Sequence, residues 1–392
     1  MSKPIKPISD FDIVIQGAGP VGLACAAWLL QNNSQLNLVL LDKFAEDDAP
    51  IAAGDKRGIA ISEGSRLLLR TLNAWPEQSP AIHQVNVSHR GHFGRAIMTR
   101  EEINQDALGH IVRYADIHLA LRQALKRIRE SCPNFEWQFE ANTTMDLSGQ
   151  LSTNTCLIHA EGGLFNEQSP KDRRRDYQQS ALIGWVQASN VPLNQAWERF
   201  TDEGPLALLP SHLGSGYLNL VWCSSPENAD RRKNTSPEEL LKELQRCFGD
   251  LVGTFTSIND LRTYPLGLNA RDEIVNNNEV WIGNAAQTLH PVAGQGLNLG
   301  LRDAATLANC LGPIFVNANN QRSTELIKGL EEFANLRKAD RKATIGTTDF
   351  LARVFTSKFV PVIVGRGLAL SALQWFPSVK SALARQMMFG QR

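Results

Sequence analysis

Net charge is absent from this 392-residue chain, in which 40 basic side chains balance 40 acidic ones. Without a basic surplus the composition offers no electrostatic grip on a phosphate backbone, so nucleic acid is not expected as a partner. Cysteine is scarce and scattered. Cys25, Cys132, Cys156, Cys223, Cys247 and Cys310 form no C-x-x-C pair and have no histidine cluster beside them. No metal site is expected, and all six read as reduced thiols. Also missing is an uninterrupted run of 18 apolar residues, which excludes a membrane-spanning helix. The polar stretch from Met1 to Asp10 runs directly into Phe11 to Ile15 without a cleavage pattern, so no secretory signal is expected and the chain is placed in the cytoplasm. What is present is a hydrophobic fraction of 43% with 20% charged residues, enough for a large core divided into two or three substructures.

Two glycine-punctuated segments carry the chemistry. The first follows the apolar run Phe11 to Ile15, which reads as a buried strand, and consists of Gly17-Ala18-Gly19-Pro20-Val21-Gly22 before a helix from Leu23 to Leu30. Gly17 permits the tight turn, Gly19 lets backbone approach a pyrophosphate, and Gly22 allows close packing of helix on sheet. The helix N-terminus faces the phosphates. A second strand, Leu36 to Leu41, ends at Asp42, about 20 residues on, where the fingerprint requires an acid for the adenosine ribose. The fingerprint alone does not separate FAD from NAD. Its place at the N-terminus, with no second complete copy, favours a tightly held FAD that a nicotinamide visits as reductant.

The second segment is Gly283-Asn284-Ala285-Ala286-Gln287-Thr288-Leu289-His290-Pro291-Val292-Ala293-Gly294-Gln295-Gly296-Leu297-Asn298-Leu299-Gly300. A buried strand entering a glycine-rich turn and then a helix start presents backbone N–H groups to an anionic or electron-rich ligand.

Other segments are less specific. Arg57, in Asp55-Lys56-Arg57, reads either as a group over the cofactor or as a solvated arginine before a helix from about Glu63 to Leu72. Asp116 is expected to cap another helix, whose stripe of Ile117, Leu121, Leu125 and Ile128 is core. Between Gln179 and Cys223, alternating runs such as Ala181 to Val186 and Tyr217 to Trp222 predict an antiparallel sheet that walls a substrate pocket. The basic run Lys171 to Arg175 reads as a solvated loop, with a phosphate-binding guanidinium cluster as the alternative. The apolar stretch Phe350 to Phe376 reads as a tail-binding surface, a partner-docking helix, a peripheral membrane contact or a helix packed on the nucleotide domain.

Taken together, Gly17 to Gly22, Asp55-x-Arg57, Gly283 to Ala286 and Pro291-x-Ala293-Gly294-Gln295-Gly296-x-Asn298-x-Gly300 resemble the FAD-dependent aromatic hydroxylases of the para-hydroxybenzoate hydroxylase fold. Asn284 and Gln287, with Ala196 to Thr201, Gly204 to Pro210, Leu220 to Cys223 and Ala343 to Asp349, are similar to the ubiquinone-biosynthesis branch, 2-octaprenyl-6-methoxyphenol hydroxylases in particular.

The resemblance implies an α/β fold: a discontinuous Rossmann-like FAD-binding domain (10–75, 105–165, 270–335), an inserted, mostly antiparallel substrate domain (76–104, 166–269) and a C-terminal helical region (336–392). It also implies cofactor contacts at Gly17, Gly19, Gly22, Asp42, Arg57, Asn284, Gly294, Gln295, Gly296, Leu297 and Asn298. His290 and Pro291 would lie near the oxygen-reacting edge, with His290 an acid or base or else a packed structural residue. Glu161 stands where the family carries an Asp-Gly aspartate, and its longer side chain either reaches the same partner or loses the contact.

The implied activity is hydroxylation of a polyprenylated methoxyphenol in ubiquinone biosynthesis, with bound FAD, NAD(P)H as co-substrate and O₂, through a flavin C4a-hydroperoxide. A cofactor that carries the chemistry accounts for the lack of a visible catalytic triad or metal cluster. Association with other ubiquinone-biosynthesis proteins is expected, and a peripheral contact with the inner membrane is one reading of the C-terminal stretch. A reductase on the same fold and a non-catalytic subunit of a quinone-biosynthesis complex are the alternatives.

Overall fold

The computed structural model describes residues 7–43, 57–139, 147, 151–315, 322–354, 367, 371 and 374–390. Asp55 and nearly all of 355–373 lie outside them.

The strand Ile13–Gln16 is buried at all four positions. Such continuous burial belongs to a parallel sheet covered on both faces. It pairs in parallel with Leu38–Asp42 on one side and Cys156–His159 on the other. Phe135–Phe139 and Glu279–Trp281 extend the parallel order outward, and Val275–Asn276 closes one edge as an antiparallel partner.

Eight α-helices are described: α1 (Pro20–Asn32), α2 (Glu63–Thr71), α3 (Tyr114–Arg129), α4 (Pro226–Asn234), α5 (Pro237–Phe248), α6 (Gln295–Leu311), α7 (Arg322–Val354) and α8 (Pro377–Phe389). Helix α1 is buried from Leu23 through Leu30, because it is sandwiched by α3 and α6 against the sheet. This core joins Ile13, Ile15, Leu29, Leu40, Ile117, Leu121, Ile158, Leu301 and Leu330.

The second sheet has eight strands in the order Gln287–Thr288, Thr254–Ala270, Arg173–Ser189, Tyr217–Ser224, Pro205–Pro210, Gln195–Phe200, Gln84–His89 and Arg95–Thr99. Every pairing is antiparallel except that of Gln84–His89 with Gln195–Phe200. One face packs on α5 through Leu182, Trp197, Leu220, Trp222, Leu240, Leu244 and Phe248. A small sheet of Gly58–Ser62, Gly109–Arg113 and Ala81–Ile82 completes the set. The mixed α/β class read from the sequence is therefore the observed one, with a parallel nucleotide-type sheet and a mostly antiparallel second sheet.

The segment 270–288 belongs to both large sheets. It leaves the second sheet at Ala270, supplies Val275–Asn276 and Glu279–Trp281 to the first, and returns at Gln287–Thr288.

Local expectations needed correction in two places. Asp116 is not a cap, since α3 starts at Tyr114; its carboxylate instead accepts from Nε and Nη2 of Arg113 at 2.6 Å each. Arg173 to Arg175 are not loop but the start of the strand Arg173–Ser189. The Ile117, Leu121 and Leu125 stripe is buried as expected, and each of the six cysteines is a free thiol.

Candidate active site

Both glycine-rich segments open onto one cavity of about 570 Å³. Gly19, Pro20 and Val21 from the start of α1 and Gly294, Gln295, Gly296 and Leu297 from the start of α6 line the same wall. Neither helix start carries a side-chain cap, so its first N–H groups are left for backbone, water or ligand. Two positive helix ends converging on one cavity suit a phosphate-bearing, electron-rich ligand.

The glycines divide by what surrounds them. Gly17 lies at φ +102° with its α-carbon against the Ala160–Glu161 backbone, and a side chain on Gly22 would collide with the Gly17 carbonyl. These two allow turn and helix to close on the sheet. A Cβ on Gly19 would meet only the Tyr114 hydroxyl, at 4.0 Å, and one on Gly296 nothing within 4 Å. Those two positions therefore border open space that a dinucleotide could fill. Gly294, at φ +61°, turns the chain into α6 in the left-handed region that favours glycine. The residues present fit FAD.

Asn298 is committed to holding this wall. Its Nδ2 donates to the carbonyls of Ala60 at 2.9 Å and Gly294 at 2.7 Å, and its Oδ1 accepts from the Ser62 N–H at 2.9 Å. The side chain thus ties the strand Gly58–Ser62 to the turn. Arg57 stands between the rings of Tyr114 and Tyr264, 4.9 and 5.2 Å from their centroids, at the cavity edge. Held by two aromatic faces, it is not a freely solvated arginine. Asn284 lines the cavity and its carbonyl accepts from Lys171 Nζ at 2.7 Å. Burial, with Arg271 and Arg174 nearby, pushes the Lys171 ammonium down to about 8.

His290 is wholly buried. Its Nδ1 accepts the Val292 N–H at 3.1 Å, so the ring proton sits on Nε2 and is donated to Gln179 Oε1 at 3.1 Å. Burial lowers its pKa to about 4. The ring is neutral, and both nitrogens are used to hold the Pro291 turn; Pro291 itself borders the cavity.

Asp42 and Glu161 stand at the carboxyl edge of the parallel sheet, outside the cavity lining. Asp42 accepts from the Lys43 N–H at 2.8 Å, beside the Gly17 turn. Glu161 follows the strand Cys156–His159, and its carboxylate is 3.8 Å from the His159 ring. The basic run forms no guanidinium cluster. Arg173 pairs with Asp272, Arg175 with Asp349, and Arg174 lies over the Phe165 ring while donating to the Gln168 carbonyl.

Away from the glycines the wall turns apolar, with Val85, Val87, Ala96, Ala207 and Leu209 from the second sheet and Leu383, Ala384, Met387 and Met388 from α8. Sequence reading assigned no role to Tyr114, Tyr264 or Glu198, all near this cavity. The usable signal was in Gln195–Phe200, where a glutamate interrupts the apolar alternation of Ala196 and Phe200. Among the described residues no helix is long and apolar enough to cross a membrane.

The family described as FAD binding domain matches residues 176–327. The chain is 29% identical to an uncharacterized protein of Synechocystis, covering 97% of this chain and 93% of that protein. It is 28% identical to the ubiquinone hydroxylase UbiL of Rhodospirillum rubrum (96% and 89% covered). It is 27% identical to the 3-demethoxyubiquinol 3-hydroxylase of Escherichia coli (93% and 94% covered). The structure of p-nitrophenol 4-monooxygenase PnpA from Pseudomonas putida superposes with a TM-score of 0.68 at 15% identity, covering 97% of this chain and 98% of that one.

Fold and site thus define a flavoprotein of the FAD-dependent monooxygenase fold. Within that class, the chain carries a segment that matches the FAD binding domain family and is similar over most of its length to ubiquinone hydroxylases.

Proposed function

We propose that the protein hydroxylates a polyprenylated methoxyphenol, converting a 2-polyprenyl-6-methoxyphenol to the 1,4-benzoquinol with NAD(P)H as reductant. The observation that carries this reading is the single cavity running from two uncapped helix starts to an apolar wall. One end suits a dinucleotide and the other a greasy ring and tail. The relatives' names, a ubiquinone hydroxylase and a demethoxyubiquinol hydroxylase, support the substrate class.

The turn closed by Gly17 and Gly22 would bring Gly19 to the pyrophosphate, Asp42 would hold the ribose, and Asn284 with the backbone of Gly294 to Asn298 the flavin end. FAD, when bound, supplies the reduction and oxygen activation that side chains do not provide. Around it, Asn298 and His290 keep the turn rigid, Arg57 borders the cofactor as a fixed cation, and the apolar wall excludes water from the reacting ring. His290 acts in this scheme as a positioning residue, because its neutral ring has no nitrogen left for substrate. Glu161, half-buried at the sheet edge, would meet the cofactor only through a rotamer change. The exposed Trp375 and Phe376 before α8 would supply any peripheral membrane contact or docking to other pathway proteins.

Analysis of quinone intermediates in cells lacking the protein tests the reading. A polyprenyl-methoxyphenol should accumulate and should disappear on complementation. An unchanged intermediate profile would refute the proposal.

A further inference from the structure

The cavity-facing side of the strand Gln195–Phe200 is apolar except at one residue. Ala196, Glu198 and Phe200 line the cavity, whereas Gln195 and Arg199 line a separate pocket on the opposite face of the sheet. In register, Glu198 has Val87 on one side and Ala207 on the other, and both are cavity residues. The carboxyl group is therefore set in a patch made of Val85, Val87, Ala207, Leu209 and Val221. Among the described residues it makes no hydrogen bond or ion pair.

A carboxyl group in apolar surroundings without a partner is costly, and it is retained where a ligand supplies the missing donor. Its position relative to the cofactor turn is fixed by the neighbouring side chain. Phe200 packs with Val292, the residue after Pro291. One strand repeat, roughly 7 Å, separates Phe200 from Glu198 on the same face. That is about the span of an aromatic ring lying between the turn and the carboxylate.

We propose that Glu198 accepts the phenolic proton of the substrate and holds the hydroxyl while the ring faces the Pro291 turn. This rests on the hydroxylase reading above. In the step, the phenol O–H bond breaks, an O–H bond forms on the Glu198 carboxylate, and the electron pair stays on the phenolate oxygen, from which it enriches the ring carbons ortho and para to it. No oxidant or reductant enters the transfer. Burial pushes the Glu198 carboxyl up to about 7, where a base is strong enough to act and still ionised near neutral pH.

Few other titratable groups face it. The strands Gln84–His89 and Pro205–Pro210 present only apolar residues to this part of the cavity, and Tyr217–Ser224 presents Val221 and the Cys223 thiol, itself pushed up by burial and then by Glu198. From α8 comes Lys380, whose Nζ is bound to Glu102 and the Ile97 carbonyl. From the turn comes neutral His290, and from the cavity edge Arg57, fixed between two tyrosines.

The test uses the full-length FAD-loaded protein, a 2-methoxyphenol carrying a three-unit prenyl tail at position 6, and the methyl ether of that phenol. Wild-type protein should bind the phenol about tenfold more tightly than the ether. Glu198→Gln should abolish that preference while retaining FAD and the thermal midpoint. Its kcat should fall about 10²–10³-fold and its KM for the phenol should rise by no more than about tenfold, the size of the lost preference. It should also lose the acid limb of kcat/KM near pH 7, and Glu198→Asp should recover part of the rate.

Turnover by Glu198→Gln within about threefold of wild type, with the same pH profile, would overturn the proposal. A wild-type protein that leaves the phenol unchanged would sink the hydroxylase reading instead. The binding comparison then decides for Glu198 alone: a phenol preference lost in Glu198→Gln upholds the contact, and equal affinities in the wild type overturn it.

Discussion

At the scale of single residues, His290 shows how a group that reads as catalytic is put to another use by its surroundings. Unfolded, an imidazole takes a proton near pH 6.5; in the fold, burial delays this to about 4. Between those values the unfolded chain binds a proton that the folded chain lacks. Stability is therefore complete above about pH 6.5 and falls as the pH drops toward 4, by about 3 kcal/mol at the acid end. His290→Gln, which does not titrate, should be less stable at neutral pH but lose less stability on acidification; urea unfolding at pH 7.5 and 5 measures both. The sequence could not distinguish the two roles of His290. Its contact with Val292 is local, but Gln179 reaches it only through the pairings of Gln287–Thr288 with Thr254–Ala270 and of Thr254–Ala270 with Arg173–Ser189, which no local pattern announces. The turn of Gly17 and Gly22, by contrast, was legible because the positive φ of Gly17 and the close approach of Gly22 to the Gly17 carbonyl lie within six residues of sequence.

At the scale of elements, the glycine turn is fastened to the long helix α7 by a buried network. Asp303 accepts from Gln287 and Arg337 at 2.7 Å each, while Asp340 accepts from Arg302 at 2.8 Å and Arg337 at 2.7 Å. Arg341 reaches Gln287 Oε1 at 2.8 Å. Burial raises the Asp340 carboxyl, but Arg302 and Arg337 outweigh it and hold the group below the usual range. Deleting one member leaves uncompensated charge inside the protein. Asp340→Ala should cost about 3–5 kcal/mol in urea unfolding and speed FAD release, while the Arg337→Ala/Asp340→Ala pair should cost less than the sum of the single changes. Additive costs would show that the two side chains are not coupled. Gln287 stood out in sequence as a family variant, yet its bonding to Asp303 and Arg341 could not be read there, since those partners lie on two different helices. Helices α1, α2 and α3 and the start of α6 were legible in sequence, whereas the one cap expected, Asp116, is not a cap.

At the scale of the whole molecule, the cavity is one space with two chemistries, and its apolar end is closed by α8. Ala384 is buried there beside Ile103 and Met388. Ala384→Trp should shorten that end, raising KM about tenfold for a phenol with several prenyl units while leaving a short-tailed phenol nearly unaffected. Steady-state kinetics against tail length would measure this, and an equal effect on both substrates would refute the assignment of that end to the tail. The antiparallel character of the second sheet was visible in its alternating runs. The parallel join of Gln84–His89 to Gln195–Phe200 was not, because more than a hundred residues separate partners that meet only after the intervening chain has folded. The wall of the cavity is drawn from Gly19 at one extreme and Met388 at the other. Taking α8 away would therefore leave the glycine turns in place but open the far end of the pocket to water, so the outermost helix decides whether the reacting ring is kept dry.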